Sequence, residues 1–424
     1  MEKMAISFSP QTTMAPQPIG IMMRPSSPVP SSDSSSSSPI VQSSEARRAL
    51  LGPFSILMTF SGLDMERSLF GNKKPLPRAI FSTILYIFLI IVFILRLIVA
   101  LSVPAKPLSF IWAESSVIGF MSLHGKISAI CIGRWTASGT FNKIYSTLNS
   151  VKKSHSLSLP RSSLHSSRSF ITALVLSTLF IIVTLTSSAK SAIQGPFTSN
   201  ATNTGWQWVL SRENLFGFEP ILSVWMAVSS ILATISFVFI HRVVHEELKS
   251  FLSEIEESAH SGQLAIQLSS ISTRLTSLLN LSSEVTEQMT MFASIGVLTS
   301  VIANVNALYI MMTLGSIMSP FSIIVTVMWV FSTVAFLLFT LNPPANVQSS
   351  LHKISFLLSS DPSIEGSHEK MTLVSHILRR LSMAPTRIFL MSAVPLGMSA
   401  PHMAMLVVPN IATLLSLLYR YLNY

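Results

Sequence analysis

Residues 79–101 read AIFSTILYIFLIIVFILRLIVAL, a stretch whose only charge is Arg96. As a helix it is roughly 34 Å long at 1.5 Å per residue, enough to cross about 30 Å of hydrocarbon. Further apolar stretches of spanning length follow at 110–133, 170–190, 219–240, 291–315, 320–341 and 400–422. The pattern predicts an all-α, multi-pass membrane protein with seven transmembrane helices. Composition agrees: of 424 residues 49 % are hydrophobic and 11 % charged, where soluble domains carry about 25 % charge. Mean hydropathy is +0.56, and a soluble enzyme is excluded. Cys131 is the single cysteine, so no intrachain disulfide can form. The net charge of +10 reports orientation in a bilayer and implies no nucleic acid.

Outward from the first span, residues 1–49 are rich in Ser and Pro and read as a disordered tail, leaving 50–424 as the transmembrane domain. The Ser-rich run offers phosphoacceptors, though disorder alone accounts for it. The stretch Leu50–Leu63, LLGPFSILMTFSGL, is too short to span and holds Pro53 and Gly62. It reads as an interfacial or re-entrant helix beneath the first span. With the N-terminus cytoplasmic, 22 Lys and Arg fall on the cytoplasmic side and 4 outside, with Arg96 and Lys126 inside spans. Positive-inside asymmetry therefore predicts a cytoplasmic N-terminus and an extracellular C-terminus. Asn200-Ala201-Thr202 is a glycosylation acceptor, and this topology puts Asn200 outside. The long loops between spans then carry cytoplasmic helical extensions. His241–His260 continues span four, and Leu268, Ile271, Leu275, Leu278 and Leu279 recur at helical spacing. Met371–Met383 sets Leu373, Ile377, Leu378 and Leu381 against His376, Arg379 and Arg380.

Chemistry-bearing patterns are sparse. Span two is the most polar, with Glu114, His124 and Lys126, and is expected to face other helices. Arg96 and Glu114 lie near the outer ends of adjacent spans, and an intramembrane ion pair competes with independent snorkelling. His241 and His245 share a helix face at i,i+4, a spacing that can seat zinc. A solvated helix extension is the preferred reading, with no metal. There is no Gly-rich phosphate loop, catalytic carboxylate pair or nucleophile motif, so neither an enzyme nor a cofactor is expected.

Inverted seven-span topology, long cytoplasmic loops after spans two, four and six, and a short C-terminus together resemble the insect odorant and gustatory receptor superfamily. Near the C-terminus, Pro409-Asn410-Ile411-Ala412-Thr413-Leu414, five residues and Arg420-Tyr421 stand where that family has Thr-Tyr, five residues and Gln-Phe. Thr413 and the spacing match; Arg420 departs from the pattern. The segment Pro53–Leu63 resembles the family's N-terminal segment.

The resemblance implies a chemosensory, gustatory-like receptor that is itself a ligand-gated, cation-selective ion channel in the bilayer, working as a homo- or hetero-tetramer. Helix seven lines the pore, with Thr413, Leu417, Arg420 and Tyr421 at pore or gate. The ligand pocket falls in the outer halves of spans two, three, four and six. There stand Trp112, Phe120, Phe180, Thr184, Trp225, Met226, Phe321 and Trp329, with Tyr309 on span five. Such a set suits a small, largely apolar ligand, although packing and an interfacial aromatic belt explain each residue equally well. Rival functions are a G-protein-coupled chemoreceptor, disfavoured by the inverted topology and missing Asp-Arg-Tyr and Asn-Pro-x-x-Tyr motifs, and a transporter, for which no internal repeat is visible.

Overall fold

The computed structural model describes residues 39–63, 77–101, 108–153, 175–186 without 176 and 179, 219–383 without 366, and 389–423 without 391–393 and 396. Pro39–Tyr424 forms one compact unit. Its helices are α1 (Pro39–Leu51), α2 (Phe54–Phe60), α3 (Pro77–Leu101), α4 (Phe110–Ala137), α5 (Thr140–Lys153) and the helical residues 180–186. Then follow α6 (Glu219–His260), α7 (Leu264–Tyr309), α8 (Pro320–Ser360), α9 (His368–Met383) and α10 (Ala400–Asn423). The only described strands are the two-residue pair Phe389–Leu390 and Val394–Pro395.

Five described helices are long and apolar enough to cross a membrane: Trp112–Ala137, Ile221–His260, Leu264–Leu314, Pro320–Ser360 and Ala400–Leu422. Within α3, Thr83–Leu95 forms a shorter apolar helix. The expected cytoplasmic extensions are helical, because α6 and α7 run unbroken for 42 and 46 residues. Leu268, Ile271, Leu275, Leu278 and Leu279 are all buried, as their spacing requires. In α9, Val374 and Ile377 are the buried residues, and Arg380 reaches α7 through Thr276.

The first described residues, from Pro39, are already helical, inside the stretch that composition assigns to the tail. Ala46, Leu50 and Leu51 lie in the interior, which gives this turn of chain an apolar face to bury. In α2, Phe54 and Met58 point inward, while Ile56, Leu57 and Phe60 stay exposed. Phe54 packs on Phe239 at 5.9 Å between ring centroids. Beyond α2 the chain turns at Gly62, whose φ of +73° is costly for any residue with a Cβ. The carbonyl of Leu63 then accepts from Thr136 at the end of α4.

The register of α4 against α7 organises the rest. Trp135 is fully buried and donates through Nε1 to the carbonyl of Gln288 at 3.0 Å, with its ring edge-on to Phe292. Higher on the same two helices, His124 also meets Phe292. Small residues allow the close crossings. A Cβ on Gly125 would stand 2.9 Å from the Cβ of Met226, and one on Gly133 only 2.6 Å from the Tyr86 hydroxyl. That hydroxyl donates to the Ala129 carbonyl, which fixes α3 on α4.

Candidate functional site

At the end of the bundle where α4 begins, a second apolar cluster stands apart from the main core. It contains Leu108, Val117, Val183, Tyr309, Leu314 and Trp329, with Trp112, Leu415 and Tyr419 packed against it. Three of the expected pocket residues, Trp112, Tyr309 and Trp329, thus come together there, and α10 supplies part of the wall. Thr184 is the neighbour of Val183 and turns its hydroxyl back onto the Phe180 carbonyl at 2.9 Å.

The other pocket residues separate. Phe180 packs edge-on to Phe336 at 4.6 Å, and Phe336 in turn lies 4.9 Å from the His124 ring, so Phe180 belongs to the main core. Trp225 packs on that core too, its ring tip 3.5 Å from where a Cβ on Gly62 would stand. Met226 receives a hydrogen bond from Ser122 at its sulfur. Phe120 is half-buried, and Phe321 is exposed.

The helices that carry these aromatic groups also bury polar side chains. Glu114, His124 and Lys126 are all buried, as a span facing other helices requires. The His124 Nδ1 lies 3.1 Å from Ser230 Oγ on α6. Its Nε2 approaches the space over Gly296, where the Thr340 hydroxyl also arrives. Any ligand or conformational change reaching Phe336 therefore meets a hydrogen-bonding centre in an otherwise apolar region.

The end of α7 is irregular. A π-turn at Ile310–Leu314 and a 3-10 turn at Gly315–Ile317 follow Tyr309. π-Turns at helix ends and interruptions occur frequently at functional sites. The Tyr309 ring is T-shaped to Tyr419 of α10, with centroids 6.3 Å apart.

Of the expected pore residues, Thr413, Leu417, Arg420 and Tyr421 all lie exposed on α10. The buried residues of this helix are Pro401, Val408, Ala412 and Ser416, a single stripe at helical spacing. Thr413 donates to the carbonyl of Pro409, and the helix continues through that proline. The side chain of Arg96, and with it the proposed pair with Glu114, lies outside the described residues, as does Asn200.

On the extension of α6, His241 and His245 are engaged separately. The His241 ring packs on Phe237 and lies 2.9 Å from the Phe237 carbonyl, while His245 Nδ1 lies 3.1 Å from Ser350 Oγ on α8. Burial pulls the His245 pKa below the ordinary 6.5, against the raising effect of Glu246. Among the described residues no three His, Cys, Asp or Glu side chains gather as a metal site. Arg274 of α7 is buried between Glu254 and the Phe251 ring, and burial lowers its pKa.

Residues 50–412 match the family described as Caenorhabditis protein of unknown function, DUF267. No curated protein matches the sequence. Among solved structures, insect olfactory receptor OR5 from Machilis hrabei superposes with a TM-score of 0.64 at 14 % identity, covering 88 % of this chain and 98 % of that one. The same receptor in complex with eugenol superposes with a TM-score of 0.61 at 11 % identity, covering 85 % and 98 %. Both structures are of that one olfactory receptor. The likeness to insect odorant receptors, read above from the sequence, therefore holds at the level of the fold.

Proposed function

We propose, for a chain that belongs to the Caenorhabditis family DUF267, a chemosensory receptor that is itself a ligand-gated ion channel. Residues 50–424 form its membrane domain, with seven spans, a cytoplasmic N-terminus and an extracellular C-terminus in the plasma membrane. The observation that carries this reading is α10. It is apolar along its length, yet within its own chain it buries one narrow stripe and leaves Leu406, Leu414, Leu417 and Leu418 uncovered. The fold is shared with an insect olfactory receptor, and the family resemblance described above puts the seventh helix at a central pore. Four subunits, identical or mixed, then enclose the conduction path.

Trp112, Tyr309 and Trp329 form the centre of the ligand site, because they are gathered beside α10 and can pass a change in packing to it through Tyr419. A small, largely apolar ligand suits that lining. Phe180, Thr184, Trp225, Met226, Phe120 and Phe321 are assigned to the walls or to packing around it. Arg96 and Glu114 are assigned as an intramembrane pair, since each charge in hydrocarbon needs a partner or water.

Currents recorded from cells expressing the chain test the function. A conductance evoked by an apolar odorant or tastant, and absent from untransfected cells, supports the channel; ligand responses that need a G protein, with the N-terminus accessible from outside intact cells, overturn it.

A further inference from the structure

Arg379-Arg380-Leu381-Ser382 closes α9, and the structure leaves all but Leu381 exposed. We infer that Ser382 is a phosphoacceptor for an arginine-directed serine kinase, and that its phosphate releases the end of α9 from α7. The inference rests on the cytoplasmic placement of α9 proposed above.

Three observations converge on this serine. Two guanidinium groups stand two and three residues before it, the arrangement that the acidic subsites of such a kinase read. No acidic residue lies within four positions on either side to oppose them. Ser382 is in the last turn of its helix, which ends at Met383. Its hydroxyl is spent only on the local Arg379 carbonyl at 2.8 Å, and terminal turns fray readily into the extended form a kinase binds.

The consequence follows from where the second arginine is already committed. Arg380 donates to the Thr276 hydroxyl of α7 at 2.9 Å, a neutral acceptor on the neighbouring helix. Transfer of the γ-phosphoryl group of ATP forms the Ser382 Oγ–P bond, breaks the β–γ bridge with ADP leaving, and passes the hydroxyl proton to the kinase base. The product carries about −1.5 to −2 charges beside Arg379 and Arg380. A guanidinium prefers that anion to a neutral hydroxyl. A dianion at a helix C-terminus also opposes the helix dipole. Both effects withdraw Arg380 from Thr276 and loosen the last turn of α9.

The test uses the full chain purified in detergent, the catalytic domain of an arginine-directed serine kinase and ATP, with phosphosites located by mass spectrometry. Ser382 should be modified in the folded protein and Ser382→Ala should lose that phosphate. Arg379→Ala should slow the reaction about tenfold. Thr276→Val frees Arg380 and should speed it severalfold. Amide hydrogen exchange across residues 378–383 should rise about tenfold on phosphorylation. Modification of Ser382 only after denaturation overturns the site. Unchanged exchange in fully phosphorylated protein, with no effect of Thr276→Val, overturns the release. Sealed vesicles of known sidedness test the placement separately: modification in detergent but not from the cytoplasmic face would reject the orientation, and with it Ser382 as the substrate of a cytoplasmic kinase.

Discussion

The hydroxyl of Tyr309 donates to the backbone carbonyl of Leu108 across 201 residues of sequence, at 2.5 Å. Leu108 has φ of +62°, the only positive value among the described non-glycine residues. The chain entering α4 is thus held in a costly conformation by a phenol at the end of α7. Tyr309→Phe keeps the ring and removes the bond, stranding a buried carbonyl at a cost of about 1–3 kcal/mol. Thermal unfolding of the purified protein should fall by a few degrees, about 2–4 °C per kcal/mol. An unchanged midpoint would mean that the Leu108 turn holds without its donor.

Gly125 and Gly315 form a matched pair for a second test. Gly125→Ala places a methyl group 2.9 Å from the Met226 Cβ and 3.1 Å from its carbonyl oxygen, so α4 and α6 must part. Gly315→Ala meets nothing within 4 Å. Overpacking of this kind costs about 1–3 kcal/mol. The first variant should lose surface expression and the second keep it; equal expression would refute the close crossing.

His245 sets a pH dependence. Its pKa is depressed by burial, so the folded state disfavours the proton that the unfolded state accepts near pH 6.5. The stabilisation is present above that value and is lost as pH falls below it. Lowering the pH from about 7.5 to about 5.5 should reduce thermal stability, and His245→Asn should flatten part of that slope. An identical slope in the variant would assign the effect elsewhere.

For α10, Leu417→Ala should raise basal current if Leu417 forms a hydrophobic constriction, since a smaller side chain removes a dewetting barrier. Arg420→Gln should move the reversal potential towards cation permeability, because a ring of arginines repels cations. Conducting variants with wild-type gating and selectivity would place the pore on another helix.

Asn200 should carry the N-linked glycan. Treatment with a glycosidase should shift the mobility of the native chain and leave Asn200→Gln unshifted; a shift that persists would overturn the orientation.

The sequence conveyed helix length and burial pattern far better than azimuth. Leu268, Ile271 and Leu275 declared the buried side of α7 by spacing alone, and the polar character of span two foretold the burial of His124. Its partner was not legible, because Ser230 comes from a distant helix whose rotation no local pattern encodes. The aromatic pocket shows the same limit. Trp112, Tyr309 and Trp329 cluster while Phe180 joins Phe336, although depth along each span treats them alike. Leu108 was beyond reach for another reason: what Tyr309 recognises there is a backbone carbonyl, which every residue possesses.

The 46 unbroken residues of α7 join Tyr309 to Leu264. At 1.5 Å per residue that is a rod about 69 Å long. Tilting it by about 3° around Tyr309 sweeps the Leu264 tip through roughly 3.6 Å, more than half of one helical pitch. Leu264 is fully buried, so a sweep of that size forces its neighbours to move or repack. A rigid tilt of this helix would therefore be amplified along its length: a displacement too small to break a contact at one end is large enough to exchange contacts at the other.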